Sequence, residues 1–136
     1  EIGKMVFTPV TYRQQETMFE SIGRRKMIYL SIEPDGNISG LTEMLYNLKK
    51  ETMIEQMMTG VGEEYRGRGL GKLLKSKMLL KLKTDYPQIQ IISTSNATTK
   101  YHMIAINERL GFRVNKEEIS AQMTTEDLGK YLSENN

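Results

Sequence analysis

Gly67, Gly69 and Gly71 stand on alternate positions within the run Thr59-Gly60-Val61-Gly62-Glu63-Glu64-Tyr65-Arg66-Gly67-Arg68-Gly69-Leu70-Gly71-Lys72. Lacking Cβ atoms, glycines let a backbone turn sharply and bring several N–H groups close to one ligand. The Leu- and Lys-rich stretch that follows reads as a helix, and its first turn adds unpaired amides and the positive end of a dipole. Amides gathered in this way suit a diphosphate. The local charge agrees in sign: from Arg66 to Lys83 there are seven basic residues (Arg66, Arg68, Lys72, Lys75, Lys77, Lys81, Lys83) and no acidic one. Lys75, Lys77, Lys81 and Lys83 are expected on a solvated helix surface that favours an anion, while backbone groups from Arg66 to Lys72 do the holding.

Two other phosphate loops fail on spacing. A nucleoside triphosphate loop needs Gly-x-x-x-x-Gly-Lys-Ser/Thr, but Gly71-Lys72 is followed by Leu73, and Arg66 stands where the first glycine belongs. A dinucleotide fingerprint needs Gly-x-Gly-x-x-Gly, whereas these glycines are evenly spaced and no acidic residue lies near the expected distance beyond a following strand. Other chemistries are excluded by composition. With no cysteine and one histidine, His102, the chain has no thiol nucleophile, no thiolate zinc site and no multi-histidine metal site, so no metal is expected. His102 and Tyr101 read as surface residues of one helix.

The elements that must position the loop follow from periodicity. Val10 to Arg25 places Tyr12, Met18, Phe19 and Ile22 at helical spacing after a Thr8-Pro9 entry. Lys26–Ile32 and Ile38–Tyr46 flank the turn residues Pro34-Asp35-Gly36-Asn37 and predict a hairpin. Thr52–Val61 is a third strand ending at the glycine loop, with Met53, Met57 and Met58 expected in the core. A helix over Leu70–Thr84 and a strand over Gln88–Thr94 complete a strand, loop, helix, strand succession, the sign of a parallel pair. A helix over Thr98–Leu110 ends at Gly111, a C-cap glycine; two short strands (Phe112–Asn115, Ile119–Thr124) and a helix over Thr125–Leu132 follow.

At 136 residues, 38% hydrophobic and 26% charged, the chain is expected to form one domain spanning 1–136 with a core of its own. No apolar run approaches the roughly 20 residues a membrane helix needs, so no membrane partner is expected. The start Glu1-Ile2-Gly3-Lys4 has no secretion-signal layout, and with the absent cysteines it points to the cytoplasm. The net charge of +2 is too small to argue for nucleic acid. Only the basic stretch supports that reading, and no nucleic-acid partner is expected.

Arg66, Gly69 and Gly71, in the order Arg-x-x-Gly-x-Gly after a strand ending in Val61, resemble the acetyl-CoA loop of the GNAT acetyltransferase superfamily. A second block, Thr94-Ser95-Asn96-Ala97 and then Met103 to Phe112 with its Leu-Gly-Phe ending, resembles that superfamily's fifth strand and fourth helix. The Asn-Ala and Ile-Asn-x-x-Leu-Gly-Phe pieces are similar to puromycin-type acetyltransferases and the C-terminal half of mycothiol synthases. The resemblance covers residues 52 to 112. It implies an α/β (α+β) fold: a central mixed, mostly antiparallel sheet, a parallel pair splayed around coenzyme A, and helices on both faces. The segment ahead of the hairpin is short for the family, so the chain is expected to be abbreviated there or to be the C-terminal half of a tandem protein.

What the resemblance implies for chemistry is an acetyl-CoA-dependent N-acetyltransferase, acting by direct attack of a primary amine in a ternary complex. The amine belongs to a small molecule or a peptide, and a homodimer is left open. The alternative is an acyl-CoA-binding module without catalysis. Cofactor contacts fall on Thr59, Gly60, Val61, Arg66, Gly67, Arg68, Gly69, Leu70, Gly71, Lys72, Asn96 and Asn107. Glu55, six residues before Val61, matches the glutamate base of the family's histone acetyltransferases, with Met57, Thr59 and Val61 as its alternation partners. The family's usual thiolate-protonating tyrosine, four residues before the Gly of Gly-Phe, is here Asn107. An amide hydrogen-bonds the pantetheine or sulfur but cannot act as an acid.

Overall fold

The computed structural model describes residues 8–119, 121 and 123–135. Thr8 starts helix α1 (Pro9–Ser21): its hydroxyl accepts from the Thr11 amide and the Thr11 hydroxyl accepts from the Thr8 amide, with proline in the first turn. Strands β1 (Arg24–Ile32) and β2 (Ile38–Asn47) form the expected hairpin. Gly36 takes a left-handed φ of +88° in its turn, and Asp35 accepts from the Asn37 amide at 3.0 Å. Strand β3 (Met53–Val61), helix α2 (Leu70–Asp85), strand β4 (Ile91–Thr94), helix α3 (Tyr101–Arg109) and helix α4 (Thr125–Glu134) follow.

The sheet order is β1-β2-β3-β4, antiparallel except for the parallel β3/β4 pair. Successive strand residues face opposite sides, so the register assigns the faces. Met44, Tyr46 and Ile54 pack with Met78 and Leu82 of α2, with Met27 and Tyr29 of β1 against them. On the other face, Lys26 of β1 lies opposite Leu45 and beneath α1. Helices thus cover both faces.

The two helices are held in different ways. α2 buries Leu74, Met78 and Leu82, whereas α1 buries no residue fully. Its attachment is polar and centred on Lys26, which donates to Gln15 at 2.7 Å and stands 3.9 Å from the centre of the Tyr12 ring and 3.9 Å from the Glu43 carboxylate. The Tyr12 hydroxyl donates to Glu43, and burial, then that bond, raises the phenol far above its usual range. Lys26 and Glu43 are both buried, so their mutual compensation keeps either charge tolerable there.

Four expectations need correction. Residues 112–115 form no strand: the Phe112 amide turns back to the Asn107 carbonyl at 3.0 Å, and Val114 is left exposed with no layer above it. The strand expected over 119–124 lies partly outside the described residues, and its described members are not in a strand. Met57 and Met58 are not core; they are 41% and 53% exposed, because β3 bulges there. Lys75 is not on a solvated surface; it is 1% exposed between α2 and α3.

Replacing Lys26 with methionine removes the compensation for the Glu43 carboxylate. Lys26→Met should cost about 3 kcal/mol of unfolding free energy by denaturant titration, and most of that should be absent when Glu43→Gln is already in place.

Candidate functional site

The site is set by where β3 and β4 part. They pair from Met53↔Ile91 to Gln56↔Thr94, and the Thr94 hydroxyl donates to the Gln56 carbonyl at 3.1 Å as the last rung. β3 runs on to Val61 while the chain beyond Thr94 leaves for α3. The edge of β3 from 57 to 61 therefore faces no strand partner, a splayed pair of the expected kind.

A bulge turns the same stretch. Thr42 pairs with Thr59 and Met44 with Gln56, so three steps along β3 match two along β2. The Thr42 hydroxyl reaches both neighbours, 2.8 Å from the Thr59 hydroxyl and 3.0 Å from Gln56 Nε2. Gln56 and Thr59 thus share the α2 face. The alternation expected from Glu55 through Met57 to Thr59 and Val61 is broken: Glu55, opposite Leu45, faces the α1 side. Its carboxylate is 43% exposed and 3.7 Å from Arg24.

Between Val61 and α2 the loop turns through a short 3-10 helix (Glu63–Tyr65). Gly62 lies so close under the Tyr65 ring that a Cβ there would sit 3.0 Å from it. Gly67 and Gly69 adopt φ of +79° and +78° with open space around them, so it is backbone conformation, not crowding, that calls for glycine. Gly69 caps α2 with no side chain over the first turn, and that turn contains no acidic residue. Leu73 N bonds back to Gly69 O at 3.0 Å, which leaves the amides of Leu70, Gly71 and Lys72 ahead of the helical ladder.

The loop arginines brace this nest. Arg68 forms two bonds to Glu33 at the hairpin tip, 2.9 and 3.1 Å, and this, with the Ser39 hydroxyl, holds the Glu33 carboxyl below its usual range. Arg66 Nε donates to Val61 O at 3.3 Å. Gly71 packs close enough to Val61 and Ile106 that a Cβ would meet them at 3.8 and 3.7 Å. The uncapped helix start and the unpaired β3 edge therefore adjoin. Asn96 is exposed in the loop after β4, and Tyr101 and His102 are exposed on α3.

Three side chains here carry signals that residue types alone did not show. Gln56 is 3% exposed; its Nε2 is satisfied by Thr42 and the Glu43 carbonyl, but its Oε1 is the buried side-chain oxygen among the described residues without a partner. Asn107, also buried, accepts at its Oδ1 from Lys75 Nζ at 2.5 Å. Lys75 also lies 4.0 Å from Met103 Sδ and 5.4 Å from the centre of the Phe112 ring. Burial alone pushes this ammonium down to about 8. No spacing rule marks the fourth basic residue of the run as the buried one; only its place four residues after Gly71 and three before the buried Met78 carries that signal.

The residues fit a coenzyme A arm: uncapped amides and positive charge for its diphosphate, a bare strand edge for its amides, and an orphaned buried acceptor where that edge begins. The fold is that of GNAT acetyltransferases. A tandem GNAT protein from the clavulanic acid biosynthesis pathway superimposes with a TM-score of 0.72 at 33% identity over 75% of this chain, which spans only 32% of that protein. An acetyltransferase from Trypanosoma brucei gives 0.60 at 17% identity, covering 87% of this chain and 82% of its own. An IAA acetyltransferase from Bacillus cereus gives 0.60 at 19%, covering 76% and 63%. No protein-family model matches the chain, and no curated protein matches its sequence significantly. Among the described residues no helix is long and apolar enough to cross a membrane.

The lowered Lys75 value has a consequence for stability. An unfolded chain holds the lysine proton up to about 10.5 and the folded one only to about 8, so between these values the unfolded state binds more protons and stability rises with pH. Among the described residues no charged group compensates Lys75: its partners Asn107, Met103 and Phe112 are neutral. The difference between wild type and Lys75→Met in chemical denaturation should therefore shift in favour of wild type by about 3 kcal/mol from pH 7.5 to 10.5. A flat difference would show that the ammonium is not buried.

Proposed function

We propose that this chain is an acetyl-CoA-dependent N-acetyltransferase acting on a primary amine of a small molecule or peptide. The observation that carries the reading is the adjacency of the uncapped α2 start to the unpaired 57–61 edge of β3, since one ligand with a diphosphate and an amide arm satisfies both. The amides of Leu70, Gly71 and Lys72, opened by Gly67 and Gly69, hold the diphosphate. Thr59, Gly60 and Val61 offer the strand edge, and Arg66 and Arg68 stiffen the loop that joins the two. Asn96, exposed in the loop after β4, is assigned to donate its amide to the cofactor. Asn107 acts from behind, through Lys75.

Acetyl-CoA supplies a thioester, an acyl group already activated for attack by nitrogen. A backbone N–H of the bulged edge polarises the acyl oxygen and supports the charge that gathers on it. Glu55 faces the sheet side opposite α2, so an amine approaching from that side meets its carboxylate across the gap from the diphosphate end. We assign Glu55 the base, directly or through a water, because the acceptor's ammonium must lose a proton before its nitrogen can attack. Within this class the puromycin-type and mycothiol synthase-like pieces suggest a small-molecule acceptor. Asn107, standing where the family's thiolate-protonating tyrosine belongs, motivates the other reading, binding of an acyl-CoA without turnover.

Thermal unfolding with acetyl-CoA tests the binding: at 100 times its dissociation constant the ligand should add about 2.7 kcal/mol of stability, and no shift at millimolar concentration would reject both readings. Glu55→Gln should lower the rate about 100-fold at saturating amine while leaving coenzyme A affinity within twofold. An unchanged rate would remove Glu55 as the base.

A further inference from the structure

Lys75 is a buried cation with no anion, and the fold places it at the start of the gap. Gly71 touches Val61 at one end of the β3 edge, while Met78 packs with Ile54 inside the paired part. Lys75 lies four residues after Gly71 and three before Met78 on the same side of α2, so its place on the helix falls between these levels, near where β4 departs after Gln56, and its Nζ reaches Asn107 and Met103 of α3. Burying an uncompensated ammonium is costly, and a hydrogen bond from one amide oxygen offsets only part of that cost. Gln56 Oε1, at the same level and on the α2 face, is buried without a donor. A cation whose contacts among the described residues are neutral and an acceptor lacking a donor are thus both buried near the level where β3 and β4 part.

We propose that Lys75, held by Asn107, is the proton donor to the leaving thiolate of coenzyme A. The inference rests on the acetyl-CoA reading above. In the step, the amine nitrogen bonds to the acyl carbon and the carbon–sulfur bond breaks with its electron pair on sulfur. Lys75 gives one Nζ proton to that sulfur, and the amine's own proton goes to Glu55 or water. The neutral Lys75 then regains a proton from solvent, so atoms and charge balance over the cycle. Asn107 Oδ1 accepts a second Nζ hydrogen and orients the ammonium; it is a positioning residue. The lowered affinity of Lys75 for its proton brings it near that of an ordinary thiol, around 8.5, where transfer between the two is close to balanced.

The test reads the thiol of bound coenzyme A by its thiolate absorbance from pH 6 to 10, in wild type, Lys75→Met and Lys75→Gln, with folding of each variant checked by thermal melting. An adjacent ammonium should lower the bound thiol's titration by about one unit, a tenfold rise in thiolate at neutral pH. In both variants the titration should return to that of free coenzyme A. The same titration in wild type and a folded, coenzyme A-saturated variant overturns the proposal while leaving the cofactor reading intact. Should one variant fail to fold, the other decides, and Asn107→Leu, which leaves the ammonium in place, should alter the titration by less than either. If calorimetry shows that wild type itself does not bind coenzyme A, the cofactor reading fails and the assignment of Lys75 falls with it.

Discussion

Everything about the site follows from one change in pairing: after Gln56 and Thr94, β3 continues and β4 does not. A strand edge without a partner presents main-chain donors and acceptors that water or a ligand must satisfy. Here β3 becomes the sheet's outer edge only beyond Gln56, beside the first turn of α2. The bulge opposite Thr42 re-aims the edge, and the Thr42, Gln56 and Thr59 side chains lock the bulge in place. A loop that starts a long helix at the open end of this gap is then bound to direct amides toward it.

The charge distribution is arranged around that gap in an unequal way. Acidic partners pair cations at both ends of α2: Glu33 binds Arg68 at the loop, and Asp85 binds Lys81 in the last turns. On the α1 face Glu43 stands with Lys26 and Tyr12. Lys75 alone among these buried or braced cations has only neutral neighbours. In a protein that otherwise pairs its buried charge, that exception separates a structural lysine from one kept for a ligand's negative charge, and it is why the proposed proton transfer is assigned there.

Much of this was legible in the sequence. Alternation and turn chemistry located the hairpin within two residues, the glycine spacing located the strand-to-helix loop, and the Leu-Gly-Phe ending located the close of α3. What stayed hidden came from pairing across the sheet, which a linear pattern does not encode. Strict alternation made Glu55 a companion of Thr59, because a bulge depends on the partner strand. A basic run reads as one solvated face, yet Lys75 falls on the buried stripe of α2 with Leu74, Met78 and Leu82. The apolar residues at Val114 and Ile119 suggested strands, but strand formation needs a partner edge, and none reaches them.

One coenzyme A molecule should span the helix start and the strand edge together, and amide NMR of the labelled protein titrated with coenzyme A measures this directly. Two separate sets of amides, Leu70 to Lys72 and Met57 to Val61, should shift in concert and saturate at one concentration. Shifts confined to the exposed lysines of α2, with the β3 edge unmoved at saturation, would contradict it.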